Sequence, residues 1–497
     1  MPFEFKKGKK LKIKKKIKTW TLIFGVISLL LCLVLDVDKA SSMTCVAIVM
    51  AAWWIFEILP LSVTALLPLV AYPILGIMST KAIAPVYMSS VLMLFIGGFL
   101  VAIAMQKWNL HKRIALRIIQ LFGSGPSKMM LGFMIATSML SMWISNTASC
   151  VMMVSIGLAV IKSFEEIHGE NKESKIFASS LMMAIAYSST IGGIATLVGT
   201  PPNLAFTRIY SMNFPNNMEI SFGHWITFGF PICLLMLISA YGVLYFLRVR
   251  PHPIPSLGTH VIDSEVKKLG PMSREEKWVG LIFSLMAFLW IFRKNLNLGF
   301  IKIPGWSQFL PYSHNIDDGT VAVIMALLLF MIPARNGEKI LGKEAIDEIP
   351  WSTILLFGGG FALAKGIQIS GLSGVIGAKF IGLADISPVF VVSGLTFGMS
   401  FLTELTSNMS STEMLLPILA SVAKSSGLHP LSIMIPATLA ASCAFMFPAA
   451  TAPNAIIFGS NRVKIIDMVK AGFIINCLSV IIITFFSLII IPLIMKS

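Results

Sequence analysis

Two short stretches decide how this sequence is read: WISNTASC, Trp143–Cys150, and LTSNMSST, Leu405–Thr412. Each sets serine, asparagine and threonine inside an otherwise apolar run, where a continuous membrane helix would carry leucine. Polar side chains and loosened backbone are tolerated at membrane depth only where they are buried in protein or line a cavity. The same polar patch written twice therefore points to one site with two contributors.

The surrounding chain fixes the setting. Of 497 residues, 56% are hydrophobic and only 12% charged, against about 25% charged in a soluble domain. Repeated apolar runs of the length needed to cross a bilayer, about 20 residues, define an all-α polytopic membrane protein. The net charge of +16 suggests a nucleic-acid binder only until its distribution is seen. Nine lysines fall within residues 1–18, immediately ahead of the first apolar run. That placement is a topology signal and a contact for anionic lipid, so no nucleic-acid partner is expected. The six cysteines sit in or beside apolar runs without paired spacing and read as small core residues.

The apolar runs predict spans over 19–36, 43–59, 61–78, 88–107, 175–199, 222–247, 277–293, 319–334, 351–368, 431–448 and 466–495. Interrupted stretches over 127–162 and 388–425 read as re-entrant hairpins with the polar patches near their tips. With the N-terminus cytoplasmic, basic residues such as Lys112, Arg113, Arg248, Lys268, Arg335 and Arg462 fall on the inside. The outer segments 200–221 and 369–387 hold one each, Arg208 and Lys379, as the positive-inside rule requires. The expectation is about 11 transmembrane helices plus two re-entrant hairpins, with the C-terminus outside.

The duplication extends beyond the patches. FIGGFLVAIAMQKWNL (Phe95–Leu110) aligns with FGGGFALAKGIQISGL (Phe357–Leu372), matching Gly97-Gly98-Phe99 to Gly359-Gly360-Phe361. The offset is 262 positions, and Asn146 and Asn408 share it without a gap (408 − 146). Ser145 pairs with Ser407 and Ser141 with Thr403 at the same spacing. A third element follows each hairpin, GTPPN at Gly199–Asn203 and ATAPN at Ala450–Asn454, with a drifted spacing. Four spans lie between the two Gly-Gly-Phe spans, so the copies run in opposite directions. An inverted repeat with broken helices near the midplane is the architecture of secondary transporters.

Helix N-termini there attract anions, and unwound carbonyls with Ser, Thr and Asn oxygens suit sodium. Capping of the second half-helix by Ser-Asn is the simpler role and is compatible with binding. Intramembrane Glu57, Lys365 and Glu404 are further suspects. Glu57 is expected to orient a helix start, and the other two to snorkel or form a buried ion pair.

AAWWIFEILPLSVTALLPLVAYPILGI, SNTAS, GGIATLVGTPPN, FLTELTSNMSS and FPAATAPNAIIFGS together resemble the divalent anion:sodium symporter family, the sodium-coupled dicarboxylate, citrate and sulfate carriers. The resemblance covers nearly all the chain after the lysine-rich head. It implies an elevator-type transporter and a homodimer, each protomer with a scaffold and a mobile domain holding both hairpins. It implies one sodium site of Ser141, Ser145, Asn146 and the Gly199 carbonyl, and another of Thr403, Thr406, Asn408 and the Ala450 carbonyl. The anion would lie between Asn146, Thr147 and Asn408, with Thr200, Pro201 and Thr451 nearby. Two positions depart from the pattern. Met409 stands where dicarboxylate carriers usually have Thr, and Ala452 replaces a proline.

The resulting division is a basic cytoplasmic segment (1–18), scaffold helices and the start of the first repeat (19–107), and the first hairpin with its broken helix (108–221). Scaffold helices and a cytoplasmic linker follow (222–350), then the second Gly-Gly-Phe helix, hairpin and broken helix (351–465) and a final span (466–497). The expected location is the cell membrane, a bacterial inner membrane. The expected activity is sodium-coupled symport of a C4-dicarboxylate such as succinate, malate or fumarate. Sulfate, another oxyanion or citrate as cargo, and sodium-independent dicarboxylate exchange, are the alternatives. An enzyme is disfavoured because the apolar spans carry no catalytic acid, nucleophile or metal cluster. A channel is disfavoured because two dead-end hairpins make no continuous pore.

Overall fold

The computed structural model describes residues 2–123, 125–250, 252, 254–255, 260–297 and 302–495. Met1, the side chains of 2–15 and 17, Ser124, most of 251–259, 298–301 and 496–497 lie outside the described residues. They include most of the basic segment, part of the linker and the extreme C-terminus.

Helices α1 (Pro2–Val34) and α2 (Lys39–Ile55) pack together, and the Asp38 carboxylate caps α2 by accepting from Ala40 and Ser41 N–H. Short pieces follow: α3 (Leu61–Thr64), which starts after Pro60, α4 (Leu67–Ile74), with Pro68 in its first turn and Pro73 near its end, and α5 (Thr80–Ile83). The first Gly-Gly-Phe helix is α6 (Ser90–Lys107). Amphipathic α7 (Leu110–Phe122) buries Leu110, Ala115, Leu116 and Ile119. Its outward Arg113 binds Glu276 through two nitrogens, at 2.6 and 3.0 Å.

The first hairpin is α8 (Pro126–Ser141) and α9 (Asn146–His168), broken over 142–145. A second break divides α10 (Lys172–Ile194) from α11 (Pro201–Asn213). After α12 (Phe222–Leu244) come the surface helix α13 (His260–Leu269), α14 (Arg274–Ile291), α15 (Asp318–Met331) and the one-turn α16 (Glu344–Asp347). A two-residue antiparallel ribbon, Leu296–Asn297 with Lys302–Ile303, lies between α14 and α15. There the fully buried Arg293 bridges Asp318 and Glu219, each at 2.5 Å, and Asp318 also accepts from Phe222 N–H. A buried guanidinium is tolerable because both carboxylates and the Ile316 carbonyl satisfy it.

The second half repeats the first. The helix α17 (Trp351–Ile369) carries Gly-Gly-Phe and leads to α18 (Leu372–Ala378). The second hairpin is α19 (Pro388–Thr403) and α20 (Asn408–Ser426), broken over 404–407. Helices α21 (Pro430–Ala441) and α22 (Ala452–Gly459) flank the second wide break, and α23 (Ile465–Phe485) with α24 (Ile491–Met495) end the described chain. Asn109 and Gly371, repeat mates, both hold left-handed backbone, with φ 60° and 83°, so the same sharp turn follows each Gly-Gly-Phe helix.

The packing is also duplicated. Helix α10 packs on α8 and α9 as α21 packs on α19 and α20, while α9 meets α22 and α20 meets α11. Gly192 lets α10 approach the α8 backbone so closely that a Cβ there would overlap Ser138. Outward faces are apolar: Val34, Phe390 and Ile481 are 77%, 73% and 65% exposed. By length and composition, six described helices are long and apolar enough to cross a membrane, with several shorter apolar helices between them. Together these features define an all-helical polytopic membrane fold.

Candidate functional site

The four breaks converge. In the first hairpin Ser145 turns the chain (φ −54°, ψ 143°) and its hydroxyl caps α9 through Ala148 N–H. Asn146, the first residue of α9, then projects toward α10 and the second break. One terminal atom of its amide lies 2.6 Å from Ser141 Oγ, 3.2 Å from the Ser189 carbonyl and 3.3 Å from the Gly199 carbonyl. With nitrogen in that place the amide donates to the carbonyls; with oxygen there, four oxygens converge. Gly193 leaves the room, because a Cβ would sit 2.5 Å from Asn146 Oδ1 and 3.0 Å from the Gly199 carbonyl.

The second half copies this geometry. Thr403 Oγ1 donates to Asn408 Oδ1 at 2.7 Å, as Ser141 Oγ donates to Asn146 Oδ1 at 2.6 Å. The wide breaks correspond at an offset of 251 (454 − 203). Asn203 Nδ2 donates to the carbonyls of Gly193 (3.2 Å) and Thr196 (2.7 Å). Asn454 Nδ2 donates to their counterparts, Ala444 and Phe447, both at 3.1 Å. Each asparagine braces an unwound segment whose carbonyls have lost their helical partners.

The halves differ in how the free N–H groups are held. The first uses the Thr196 hydroxyl, which donates to the Met142 carbonyl and accepts from Gly199 N–H. The second uses Glu404, which accepts from Phe445, Met446 and Phe447 N–H at 2.7–3.1 Å and from Asn476 Nδ2 at 2.8 Å. Glu404 is thus buried, not snorkelling, and forms no ion pair among the described residues; it is a carboxylate cap on broken backbone. Lys365 donates to Gln368 of its own helix at 3.0 Å. Glu57 lies exposed in left-handed backbone (φ 47°), and its carbonyl accepts from Lys18.

A cavity of about 390 Å³ lies where the tips meet, walled on its other side by Phe95, Gly98, Phe99 and Thr353. Four helix starts line it: Ser145-Asn146 of α9, Thr200-Pro201 of α11, Ser407-Asn408 of α20 and Thr451-Ala452 of α22. Among the described residues, no lysine, arginine, histidine or carboxylate lines it. The positive potential in it comes from helix N-termini rather than side-chain charge.

All six residues expected at the anion, Asn146, Thr147, Thr200, Pro201, Asn408 and Thr451, line this cavity, as do Ser145, Gly199 and Ala450. Ser141 and Thr403 lie buried behind it against Asn146 and Asn408. Thr406 stands apart: its hydroxyl bonds the Leu402 carbonyl and Ser411 Oγ within its own hairpin. The carbonyls of Ser189 and Ala441, which touch the Asn146 amide and the Thr403 hydroxyl, were not singled out from sequence. Backbone oxygens carry no residue signature, though Gly193 in GGIATLVGTPPN marks the place.

Fold and site together define a membrane transporter of the broken-helix type. The chain belongs to the family described as the sodium:sulfate symporter transmembrane region, which matches residues 14–495. It is 40% identical over 454 residues to the sodium-dependent dicarboxylate transporter SdcS of Staphylococcus saprophyticus, covering 90% of this chain and 85% of that one. To SdcS of Staphylococcus aureus strain USA300 it is 42% identical over 441 residues, covering 87% and 82%. Among solved structures the fold resembles Neisseria gonorrhoeae MtrF, titled as illuminating a class of antimetabolite efflux pumps (TM-score 0.57, 12% identity, 85% of each chain). It also resembles the Alcanivorax borkumensis YdaH transporter (TM-score 0.54, 13% identity, 82% and 85%).

Proposed function

We propose that this protein is a sodium-coupled symporter of a divalent anion, with a C4-dicarboxylate such as succinate, malate or fumarate as cargo. The observation that carries the reading is the uncharged cavity on which four helix N-termini converge. An anion there meets oriented N–H groups and the hydroxyls of Thr147, Thr200 and Thr451 without a fixed counter-charge. Sodium would be held on either side, by the oxygens around Asn146 and by those around Asn408. Two monovalent cations neutralise a divalent anion, so the loaded carrier moves little net charge. A further cation would add about 2.3 kcal/mol of driving force per 100 mV. The relatives named for sodium-dependent dicarboxylate transport support both cargo and coupling.

The two repeats are inverted, about 11 spans and two re-entrant hairpins in all, with the N-terminus cytoplasmic and the C-terminus outside a bacterial inner membrane. Residues 108–221 and 351–465, with both hairpins and both broken helices, form the mobile unit; the helices within 19–107 and 222–350 form the scaffold of a homodimer. One asymmetry supports alternating access. On α9 the face of Thr147, Val151, Ser155 and Ala159 is exposed, whereas their repeat mates on α20, Met409, Glu413, Pro417 and Ser421, are buried. Inverted-repeat carriers alternate by exchanging the roles of the two halves. This state is therefore open along the first hairpin, toward the cytoplasm, and sealed along the second.

The test is uptake of labelled succinate into liposomes holding the purified protein. An inward sodium gradient should drive accumulation, and uptake indifferent to sodium would remove the symporter reading. Competition by sulfate, citrate, malate and fumarate in the same assay ranks the cargo.

A further inference from the structure

Glu413 has no part in the mechanism above and is the least expected residue in the fold. It lies in the second hairpin, fully buried, and among the described residues neither carboxyl oxygen has a hydrogen-bond partner. Helices α2, α11, α17, α18, α19 and α21 and the turn Ile381–Asp385 pack against α20. Their charged residues, and those at their ends, are Asp38, Lys39, Arg208, Lys365, Lys379, Asp385, Glu404 and His429; α20 itself adds Lys424. None of these forms an ion pair with Glu413 among the described residues. The carboxyl is seated on α17 at Gly360, where a Cβ would overlap it. Met409, one turn before Glu413 on the same face, lines the central cavity.

We propose that Glu413 is a proton-binding site that couples the conformational equilibrium of the carrier to pH. The inference rests on the alternating-access reading above. An ionised carboxylate without a partner is not tolerated in a dry protein interior, so in this state the group holds a proton. Its repeat mate, Val151, is 52% exposed on the open face of the first hairpin. When the halves exchange roles, the face of α20 that carries Glu413 faces water, and there the carboxyl releases its proton. One proton is bound in the sealed state and lost in the other. The sign follows: low pH favours the state described here, and rising pH favours exposure of the second hairpin. Linkage of a single proton shifts such an equilibrium by at most about tenfold per pH unit.

Two measurements on the full-length protein in liposomes decide this, each with Glu413→Gln as the neutral mimic that preserves shape. Infrared spectroscopy at neutral pH should show a protonated carboxyl C=O band that Glu413→Gln lacks. Absence of that difference overturns the proton site, and a carboxylate band that moves with sodium instead would assign the position to a metal cation. Maleimide labelling of Ala159→Cys and Ser421→Cys, in a background without the native cysteines, reads the two faces. These are repeat mates on α9 and α20, so their labelling ratio cancels the intrinsic pH dependence of the thiol. Between about pH 5.5 and 8.5 the ratio of Ser421→Cys to Ala159→Cys should rise with pH, by up to about tenfold per unit, and become flat in Glu413→Gln. Equal slopes with and without Glu413 overturn the coupling. If Ser421→Cys is never labelled while the infrared band is lost in Glu413→Gln, the proton site stands and the alternating-access reading falls.

Discussion

The rings of Phe95 and Phe357 meet edge to face, centroids 5.6 Å apart, although they occupy the same position in the two repeats. Residues related by a pseudo-two-fold operation touch only near its axis, so this pair marks where α6 and α17 cross it. Aromatic pairs in such geometry contribute about 0.5–1.5 kcal/mol beyond their buried area. A double-mutant cycle of Phe95→Leu and Phe357→Leu, read by thermal unfolding in detergent, should return a coupling energy of that size. Additive effects would show that the pair is only incidental contact.

Asn146→Ala and Asn408→Ala should each reduce sodium-driven uptake at least tenfold and leave a folded protein with unchanged size-exclusion behaviour. Each removes the one amide on which its oxygen cluster is centred. Retention of full uptake by either variant would contradict the placement of sodium.

Gly193→Ala tests the first oxygen cluster. The added Cβ presses on Asn146 Oδ1 and the Gly199 carbonyl, while Thr451 and Asn408 across the cavity are untouched. The half-saturating sodium concentration should rise about tenfold or more, equivalent to about 1.4 kcal/mol. An unchanged sodium dependence would mean that the first cluster yields without functional consequence.

Glu404→Ala should destabilise the protein more than Glu404→Gln. Alanine leaves three N–H groups of the broken backbone, two of them buried, and the buried Asn476 amide without an acceptor, at about 1–3 kcal/mol for each buried unsatisfied group. Glutamine retains one acceptor oxygen. Melting temperatures and expression yield distinguish the two, and equal losses would argue against the capping role.

Met409→Thr adds a hydroxyl to the cavity beside Asn408. It should reorder the competition among sulfate, citrate and the C4-dicarboxylates while leaving sodium affinity within about twofold, under 0.5 kcal/mol. An unmoved competition profile would locate cargo selection elsewhere.

The sequence by itself determined the membrane class, both interrupted hairpins and the gap-free repeat that pairs Phe95 with Phe357 and Asn146 with Asn408. These are local signals: apolar run length, helix-capping residues, and identical spacing in two copies. Tertiary structure alone decided that Ser189 and Ala441 supply carbonyls, that Glu404 caps broken backbone, and that Glu413 lies dry against Gly360 while Val151 stands open. Those outcomes depend on which helix faces which across hundreds of residues. A sequence records a backbone oxygen no differently wherever it points, and it gives repeat mates one spacing even when packing buries one and exposes the other.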